Sequence, residues 1–205
     1  MTHWQKPPFT RDDVQITQRE TLYKDFFRVD KVTLKHRLFQ GGWTGELSRE
    51  LFLRGPAVGV LLYDPKHDTV GLIEQFRAGA LAEPGGPWCM EIVAGMIEDG
   101  ETCEDVARRE SVEEAGVEPY HMEYIANYLP SPGGSDEKMH ILCGLADLSQ
   151  AGGIHGLDEE HEDIKVHVLA AEEVFAHLYQ GRFNSAAVLL CLQWLQLNHA
   201  RLKQG

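Results

Sequence analysis

The chain has 205 residues, a formal net charge of −13 at pH 7, and a hydrophobic share of 43%. Such a composition supports a sizeable core, and the length fits one large domain or one domain with a small extension. The acidic balance argues against nucleic acid or an anionic membrane surface as a general partner. We therefore expect neither kind of partner.

The cysteines and the hydropathy predict a cytoplasmic protein. Cys89, Cys103, Cys143 and Cys191 form no C-x-x-C pair and have apolar neighbours, which is typical of buried thiols in a reducing compartment. The first residues lack an apolar signal core, and no apolar run is long enough to cross a bilayer.

The chain before Pro56 predicts a small N-terminal antiparallel β-sheet domain, residues 1–55. Residues 1–15 are polar, and we expect an arm with little structure of its own. Residues 20–40 alternate loosely between apolar and polar, and residues 47–53 give another strand. Because two or three strands alone are marginally stable, this sheet must pack on another body.

Residues 56–205 predict a larger domain of strands and helices. Strand patterns cover 57–63, 70–76, 88–93, 122–129, 139–146 and 164–169. A helix follows Thr102, a second covers 171–180, and a third begins after a predicted cap at Asn184. Such a chain favours a mixed sheet with helices on both faces, an α/β (α+β) architecture.

The first of these helices carries carboxylates where a core-facing stripe should be. At about 100° per residue, Val106 and Ala107 share one face with Glu110, Glu113 and Glu114. Inward carboxylates at this spacing repel and desolvate one another. A hard divalent cation such as Mg²⁺ or Mn²⁺ resolves the conflict. The alternative is an ordinary acidic helix.

The spacing around this helix resembles the Nudix box of the Nudix hydrolases. The matching residues are Gly95, Glu101, Arg109, Glu110, Glu113, Glu114, Gly116 and Val117. Ser111 departs from the pattern, since the family usually has an aliphatic residue there, and we expect a consequence for packing only. The resemblance implies a Nudix-type α/β/α sandwich with a mixed sheet, and hydrolysis of a diphosphate.

A long polar loop, residues 147–163 and called the late loop below, contains the best source of a general base. Its acids at 158–163 are flanked by glycines. This segment is similar to the corresponding loop of the ADP-ribose pyrophosphatase branch of the family. The resemblance implies Glu160 as the base and Glu162 as a metal ligand; the sequence leaves Glu159 and Glu162 open as alternative bases.

Other site residues are suggested partly by position and partly by the resemblance. Arg49, Arg54 and Arg77 lie at strand positions and are candidates for a cationic patch that binds a diphosphate. Phe26 and Phe27 are either core residues or a wall for adenine. The resemblance implies substrate contacts at Phe26, Phe27, Arg49, Glu50, Arg54, Arg77, Met96, Ser131, Pro132, Gly133 and Glu137. It implies metal ligands at the Ala94 carbonyl, Glu110, Glu114 and Glu162, with Glu113 as a further candidate.

The resemblance therefore implies Mg²⁺-dependent hydrolysis of ADP-ribose to AMP and ribose 5-phosphate. Pro132 stands sixteen residues beyond Gly116, which is a mark of the ADP-ribose branch. The resemblance implies two or three Mg²⁺ ions, with Mn²⁺ as an alternative, and a homodimer with swapped N-terminal sheets. Alternatives are hydrolysis of another nucleoside diphosphate sugar such as GDP-mannose, or of a dinucleotide, and a nucleotide-sensing regulator that has lost catalysis.

Overall fold

The computed structural model describes residues 8–204, apart from the side chain of Glu160. It divides into two compact units. The first contains the chain up to Gly55 together with Ser131–Glu137, and the second contains Pro56–Pro130 and the chain from Lys138 onward.

The first unit is a three-stranded antiparallel sheet in the order β1-β2-β3. Its strands are β1 (Val14–Lys24), β2 (Arg28–His36) and β3 (Leu47–Leu53). The arm expected over residues 1–15 is wrong from Arg11 onward, and residues 1–7 lie outside the described chain. Thr10 forms a capping box with Asp13 around a short 3₁₀ turn, and Val14 then pairs with His36.

The second unit is built on a mixed eight-stranded sheet. Its strands are β4 (Pro56–Asp64), β5 (Thr69–Phe76), β6 (Trp88–Glu91), β7 (Val93–Met96), β8 (His121–Tyr128), β9 (Lys138–Leu145), β10 (Gly153–His155) and β11 (Ile164–Ala170). The main path runs β10-β11-β5-β4-β9-β8, while β6 pairs with β5 and β7 pairs with β4. Strands β4 and β9 pair in parallel, and the other pairings are antiparallel.

Helices cover both faces of this sheet, because its central strand is apolar on both sides. The helices are α1 (Cys103–Ala115), α2 (Ala171–His177) and α3 (Ala186–Lys203). Val58, Val60 and Leu62 of β4 belong to the core that contains residues of α1, whereas Leu61 and Tyr63 belong to the core that contains α2 and α3. The predicted α/β/α sandwich is confirmed.

Several element boundaries differ from the sequence prediction. Strand β10 lies inside the stretch expected to be a loop. Helix α2 ends at His177, before the predicted end at residue 180. Helix α3 has Ser185 as its N-cap without a side-chain hydrogen bond, so the predicted cap at Asn184 is wrong.

The cysteines and helices bear on the predicted compartment only indirectly. All four cysteines are free thiols, and Cys89, Cys143 and Cys191 are buried. No helix in residues 8–204 combines the length and apolar character needed to cross a membrane. A cytoplasmic location stays a prediction.

Candidate active site

Helix α1 is fixed at both ends by the residues that predicted it. The Thr102 hydroxyl accepts from the Asp105 N–H at 3.2 Å, and the Asp105 carboxylate accepts from the Thr102 N–H at 3.3 Å. Gly116 ends the helix in the left-handed region, with φ of 64°. These caps set the rotation of α1, and therefore the direction in which its acids point.

The stripe of α1 that begins apolar and becomes acidic is the buried face of the helix. Val106 and Ala107 are fully buried, and Glu114, two turns further on, is only 3% exposed. Glu110 and Glu113 are half-buried on the same side. The expected orientation of the three acids is therefore confirmed, and an acidic helix with its acids in solvent is excluded.

Glu114 is the most deeply placed of these acids. Its Oε2 accepts a hydrogen bond from the Ala94 N–H at 2.9 Å, which joins α1 to β7. Burial raises the pKa of Glu114 to about 8; the Ala94 N–H opposes the shift, and the charges of Glu110 and Glu162 add to it. The ionised form of Glu114 is therefore unfavourable in the chain alone.

The ionised form of Glu110 is also unfavourable, though less so than that of Glu114. Burial raises its pKa to about 7, with Arg109 opposing and the charges of Glu113 and Glu162 adding to the rise. Its carboxylate packs so closely on β7 that a Cβ built on Gly95 would lie 1.8 Å from Glu110 Oε1. Only glycine fits position 95 with this Glu110 rotamer.

Arg109 holds the half-buried acids in place. Its Nη1 lies 2.8 Å from a Glu110 carboxylate oxygen and 3.0 Å from one of Glu113, and its Nε lies 3.5 Å from Glu101. Ser111 is fully buried, and its hydroxyl donates to the Ala107 carbonyl at 2.7 Å. The departure from the family pattern at Ser111 is therefore accommodated within the helix.

The late loop supplies a further acid to the surroundings of α1. Glu162 Oε2 accepts from the Leu157 N–H at 3.2 Å, and the charge of Glu162 acts on both Glu110 and Glu114. The backbone of Glu160 lies in a 3₁₀ turn, Asp158–Glu160, but its side chain lies outside the described part of the chain. Glu160 as general base stays a prediction.

Two more predicted residues lie at strand ends of the second unit. Arg77 follows β5; its Nε donates to Glu91 Oε2 at 2.7 Å, and its charge lowers the pKa of Glu114. Met96 ends β7 and is 40% exposed. Arg77 and Glu91 line a cleft of about 320 Å³, together with Gly79, Ala80, Glu83, Cys89, Asn184 and Ser185. No sequence pattern identified Glu91 as the partner of Arg77.

In the first unit, Phe26 and Phe27 lie in the turn between β1 and β2 and not within a strand, because the hairpin reverses there. Phe26 is 81% exposed, which excludes core packing for that ring. Phe27 packs edge-on against Phe26 and Phe52, and the Arg54 guanidinium lies 5.2 Å from the centre of its ring. The exposed ring offers a surface on which a planar base could stack.

The segment Ser131–Glu137 brings the predicted Pro132 loop and Glu137 to the end of β3. The Phe52 N–H donates to the Gly134 carbonyl at 2.8 Å, and the Arg54 N–H donates to Asp136 Oδ1 at 2.8 Å. Arg54 Nη1 also lies 3.5 Å from Glu137 Oε1. Residues far apart in sequence thus meet around Arg54.

A cavity of about 410 Å³ lies beside this cluster in the first unit. Its lining residues are Arg19, Lys24, Asp25, Phe26, Phe27, Arg28, Leu53 and Asp136. Lys24, Asp25 and Arg28 adjoin the phenylalanine pair in sequence, which is the signal that could have identified them. Arg49 and Glu50 are exposed in β3, and Arg49 Nη1 donates to the Ser48 carbonyl at 2.8 Å.

Three side chains whose ligand atoms are close enough to share one cation occur in another part of the second unit. Among the described residues, ligand atoms of Asp64, His67 and Asp147 alone lie within 4.8 Å of one another. Asp64 is already occupied, because it accepts from the backbone N–H groups of Lys66, His67 and Leu148 and bonds the His67 ring. This group caps the turn after β4 and needs no ion.

The oxygen ligands around α1 fit a hard divalent cation by their chemistry. Glu110, Glu114, Glu162 and the Ala94 carbonyl offer only oxygen, which Mg²⁺ and Mn²⁺ prefer. Burial first, and then the neighbouring acids, raise the pKa values of Glu110 and Glu114, so the ionised forms of both side chains are disfavoured in the chain alone. The carboxylates must approach one another further to share an ion.

Comparison with known proteins identifies the family. Residues 53–189 match the NUDIX domain. The chain is 45% identical over 200 residues to an ADP-ribose pyrophosphatase of Haemophilus influenzae, with 96% of this chain and 92% of the relative covered. An ADP-ribose pyrophosphatase of Escherichia coli K12 is 47% identical over 195 residues, with 95% and 93% covered. The chain therefore belongs to the Nudix family.

More distant similarities agree with this assignment. A GDP-mannose pyrophosphatase of Escherichia coli is 30% identical over 190 residues, which cover 90% of this chain and 98% of the relative. A crystal structure of an ADP compounds hydrolase superposes with a TM-score of 0.68 at 21% identity, over 91% of this chain and 96% of that one. This structural likeness shows the shared fold.

Proposed function

We propose that this Nudix protein hydrolyses the diphosphate of ADP-ribose, releasing AMP and ribose 5-phosphate. The observation that carries the proposal is the desolvated pair Glu110 and Glu114, held against β7 on the buried face of α1. The relatives at 45% and 47% identity, which are ADP-ribose pyrophosphatases, support this substrate over other diphosphates.

Nudix hydrolases use divalent metal ions, and we assign Mg²⁺ as the ion, with Mn²⁺ as a substitute and two or three ions per site. Glu110, Glu114, Glu162 and the Ala94 carbonyl would hold them, with Glu113 as a further ligand. Bound ions neutralise the charge of the diphosphate. Glu110 and Glu114 would hold an ion in their ionised forms, so their raised pKa values predict that protons are released on binding.

The remaining roles are assigned to the residues that the family resemblance implies. Glu160 accepts the proton of the water that attacks phosphorus. Arg49, Arg54 and Arg77 hold the phosphates and terminal ribose, helped by Glu50, Met96 and Glu137. Phe26 and Phe27 stack on the adenine beside the loop of Ser131, Pro132 and Gly133.

A pair of matched variants tests the base. Glu160→Gln should lower kcat by at least about 100-fold with little change in KM, because proton transfer is lost while binding remains. Glu159→Gln is the control and should retain most activity. A larger loss for Glu159→Gln would move the base to that residue.

We also propose a homodimer in which the N-terminal sheet of one subunit covers the site of the other. The support is the exposed length of β1, which includes Ile16, Leu22 and Tyr23 at 45–56% exposure. Mixing Glu114→Gln with Phe26→Ala protein tests the swap, since a mixed dimer regains one intact site. Activity that stays at the sum of the two separate variants would exclude it.

A substrate panel tests the reaction itself. ADP-ribose, GDP-mannose and a dinucleotide are incubated with the protein and Mg²⁺, and the products are separated by chromatography. The proposal requires AMP and ribose 5-phosphate from ADP-ribose at the highest kcat/KM. Faster turnover of GDP-mannose would favour the activity of the 30% identical relative. Binding of ADP-ribose without AMP release would favour a regulator.

A further inference from the structure

The ring of His155, in the late loop, lies directly against the residue that ends α1. A Cβ built on Gly116 would lie 2.5 Å from Cε1 and 3.1 Å from Nδ1 of the His155 imidazole. Gly116 also has φ of 64°, a conformation that side chains disfavour. Position 116 is therefore restricted to glycine on two independent grounds, and one of them is the His155 ring.

The same ring is fixed from the loop side. His155 Nε2 lies 2.9 Å from the Gly152 carbonyl oxygen, so an Nε2 proton donates to the backbone just before β10. The ring is half-buried between this backbone and the end of α1. His155 thus joins the two segments that carry the acids of the candidate site.

The residues after His155 extend this attachment to Glu162. The Gly156 N–H donates to the Glu113 carbonyl of α1 at 3.2 Å. A Cβ built on Gly156 would lie 2.6 Å from the Glu162 Cβ, and the Leu157 N–H holds the Glu162 carboxylate at 3.2 Å. The chain from His155 to Glu162 is therefore folded tightly on itself, and the 3₁₀ turn Asp158–Glu160 lies within this segment.

We propose that His155 is a positioning residue whose ring, seated on Gly116, sets the late loop relative to the acids of α1. The role rests on the proposed function, because it concerns the placement of Glu160 and Glu162 toward Glu114. A displacement of about 1 Å in a catalytic arrangement can cost about 100-fold in rate. One contact that fastens the loop to the helix C-terminus is therefore enough to affect turnover.

Three variants separate this role from simple structural support. His155→Ala removes the ring, and His155→Phe keeps an aromatic ring on Gly116 without the Gly152 hydrogen bond. His121→Ala, at an exposed position of β8, is the control. We expect kcat for ADP-ribose to fall about 10- to 100-fold in His155→Ala, with KM within about 3-fold. His155→Phe should recover most of the loss, and His121→Ala should match the parent protein.

Hydrogen exchange of the folded protein gives a readout that needs no activity. The Gly156 amide, bonded to Glu113, should exchange faster in His155→Ala while amides of β4 keep their protection. Gly116→Ala, which pushes the ring away, is a second variant and should also speed this exchange. Unchanged kcat and exchange in His155→Ala, or equal losses in His155→Ala and His155→Phe, would overturn the proposal. If the parent protein releases no AMP from ADP-ribose, the proposed function fails. Unchanged exchange of the Gly156 amide in His155→Ala would instead reject the positioning role of His155, whatever the activity.

Discussion

Two buried carboxylates, one in each unit, have opposite surroundings. Asp30 in β2 is fully buried and accepts hydrogen bonds from the side chains of Arg28, Arg19 and Thr21. These partners, with Arg28 the largest influence, lower the pKa of Asp30 to about 2. Glu114 is 3% exposed, but burial and its acidic neighbours raise its pKa to about 8.

The difference separates a structural acid, Asp30, from Glu114, which we propose as a metal ligand. The first unit provides the cations that Asp30 needs, so its charge is compatible with the fold alone. The second unit places Glu114 near two more acids, and Arg77 only partly offsets them. An acid with a strongly shifted pKa that lies among other acids is typical of a site that binds a ligand or an ion.

The largest effect should come from replacing Glu114, the proposed metal ligand. Glu114→Gln keeps the shape of the side chain but removes the buried charge, so we expect a loss of about 100-fold or more in kcat/KM for ADP-ribose. Glu104→Gln, on the exposed side of α1, is the matched control and should keep its activity. Retention of more than about a tenth of the activity in Glu114→Gln would contradict the proposed role of Glu114.

A moderate effect on stability should come from the structural acid. Asp30→Asn leaves Arg19 and Arg28 without their shared anion, so we expect a Tm several degrees lower near neutral pH. Because the folded pKa of Asp30 is lowered, its contribution is present above about 3.8 and disappears as pH falls through about 2. The Tm difference should therefore shrink in acid. The exposed Asp12→Asn is the control, and an equal change in both variants would reject the assignment.

The smallest effect should come from Ser111. Its hydroxyl bonds the Ala107 carbonyl within the helix, and alanine has the higher helix propensity, so Ser111→Ala should raise the free energy of unfolding by about 0.5 kcal/mol or less. Urea unfolding measures the change, and activity should stay at the parental level. A loss above about 1 kcal/mol would mean that the hydroxyl has a stabilising role.

Local patterns predicted α1 and its acidic face because every signal lay within one segment. Thr102, Asp105 and Gly116 defined the helix ends, and the spacing of the acids defined their face. The apolar run of β4 was equally local, since a central strand is buried on both sides. The caps of α1, its acidic face and the sandwich architecture were therefore predictable from the sequence.

Features that depend on contacts between distant residues were not predictable. Thr21 lies opposite Asp30 in the β1–β2 register. The same register places the Arg19 side chain, two residues earlier in β1, where it donates to the Asp30 carboxylate. The attachment of Ser131–Glu137 to the end of β3 depends on hydrogen bonds between residues about eighty positions apart, from the Phe52 N–H to the Gly134 carbonyl and from the Arg54 N–H to the Asp136 carboxylate. The close approach of Glu110 to Gly95, and of His155 to Gly116, depends on packing that no spacing rule describes.

Stability against pH, with and without metal, tests the central claim most directly. Because the folded pKa values of Glu110 and Glu114 are raised to about 7 and about 8, the folded state holds extra protons, and stability is lost as pH rises through these values. In chelator, we predict that the free energy of unfolding falls by a few kcal/mol between about pH 6 and pH 9, and falls less in Glu114→Gln. Mg²⁺ should restore more stability at the higher pH in the parent protein. Equal pH dependence in both proteins, with no such effect of Mg²⁺, would contradict the claim that Glu114 is kept for a cation.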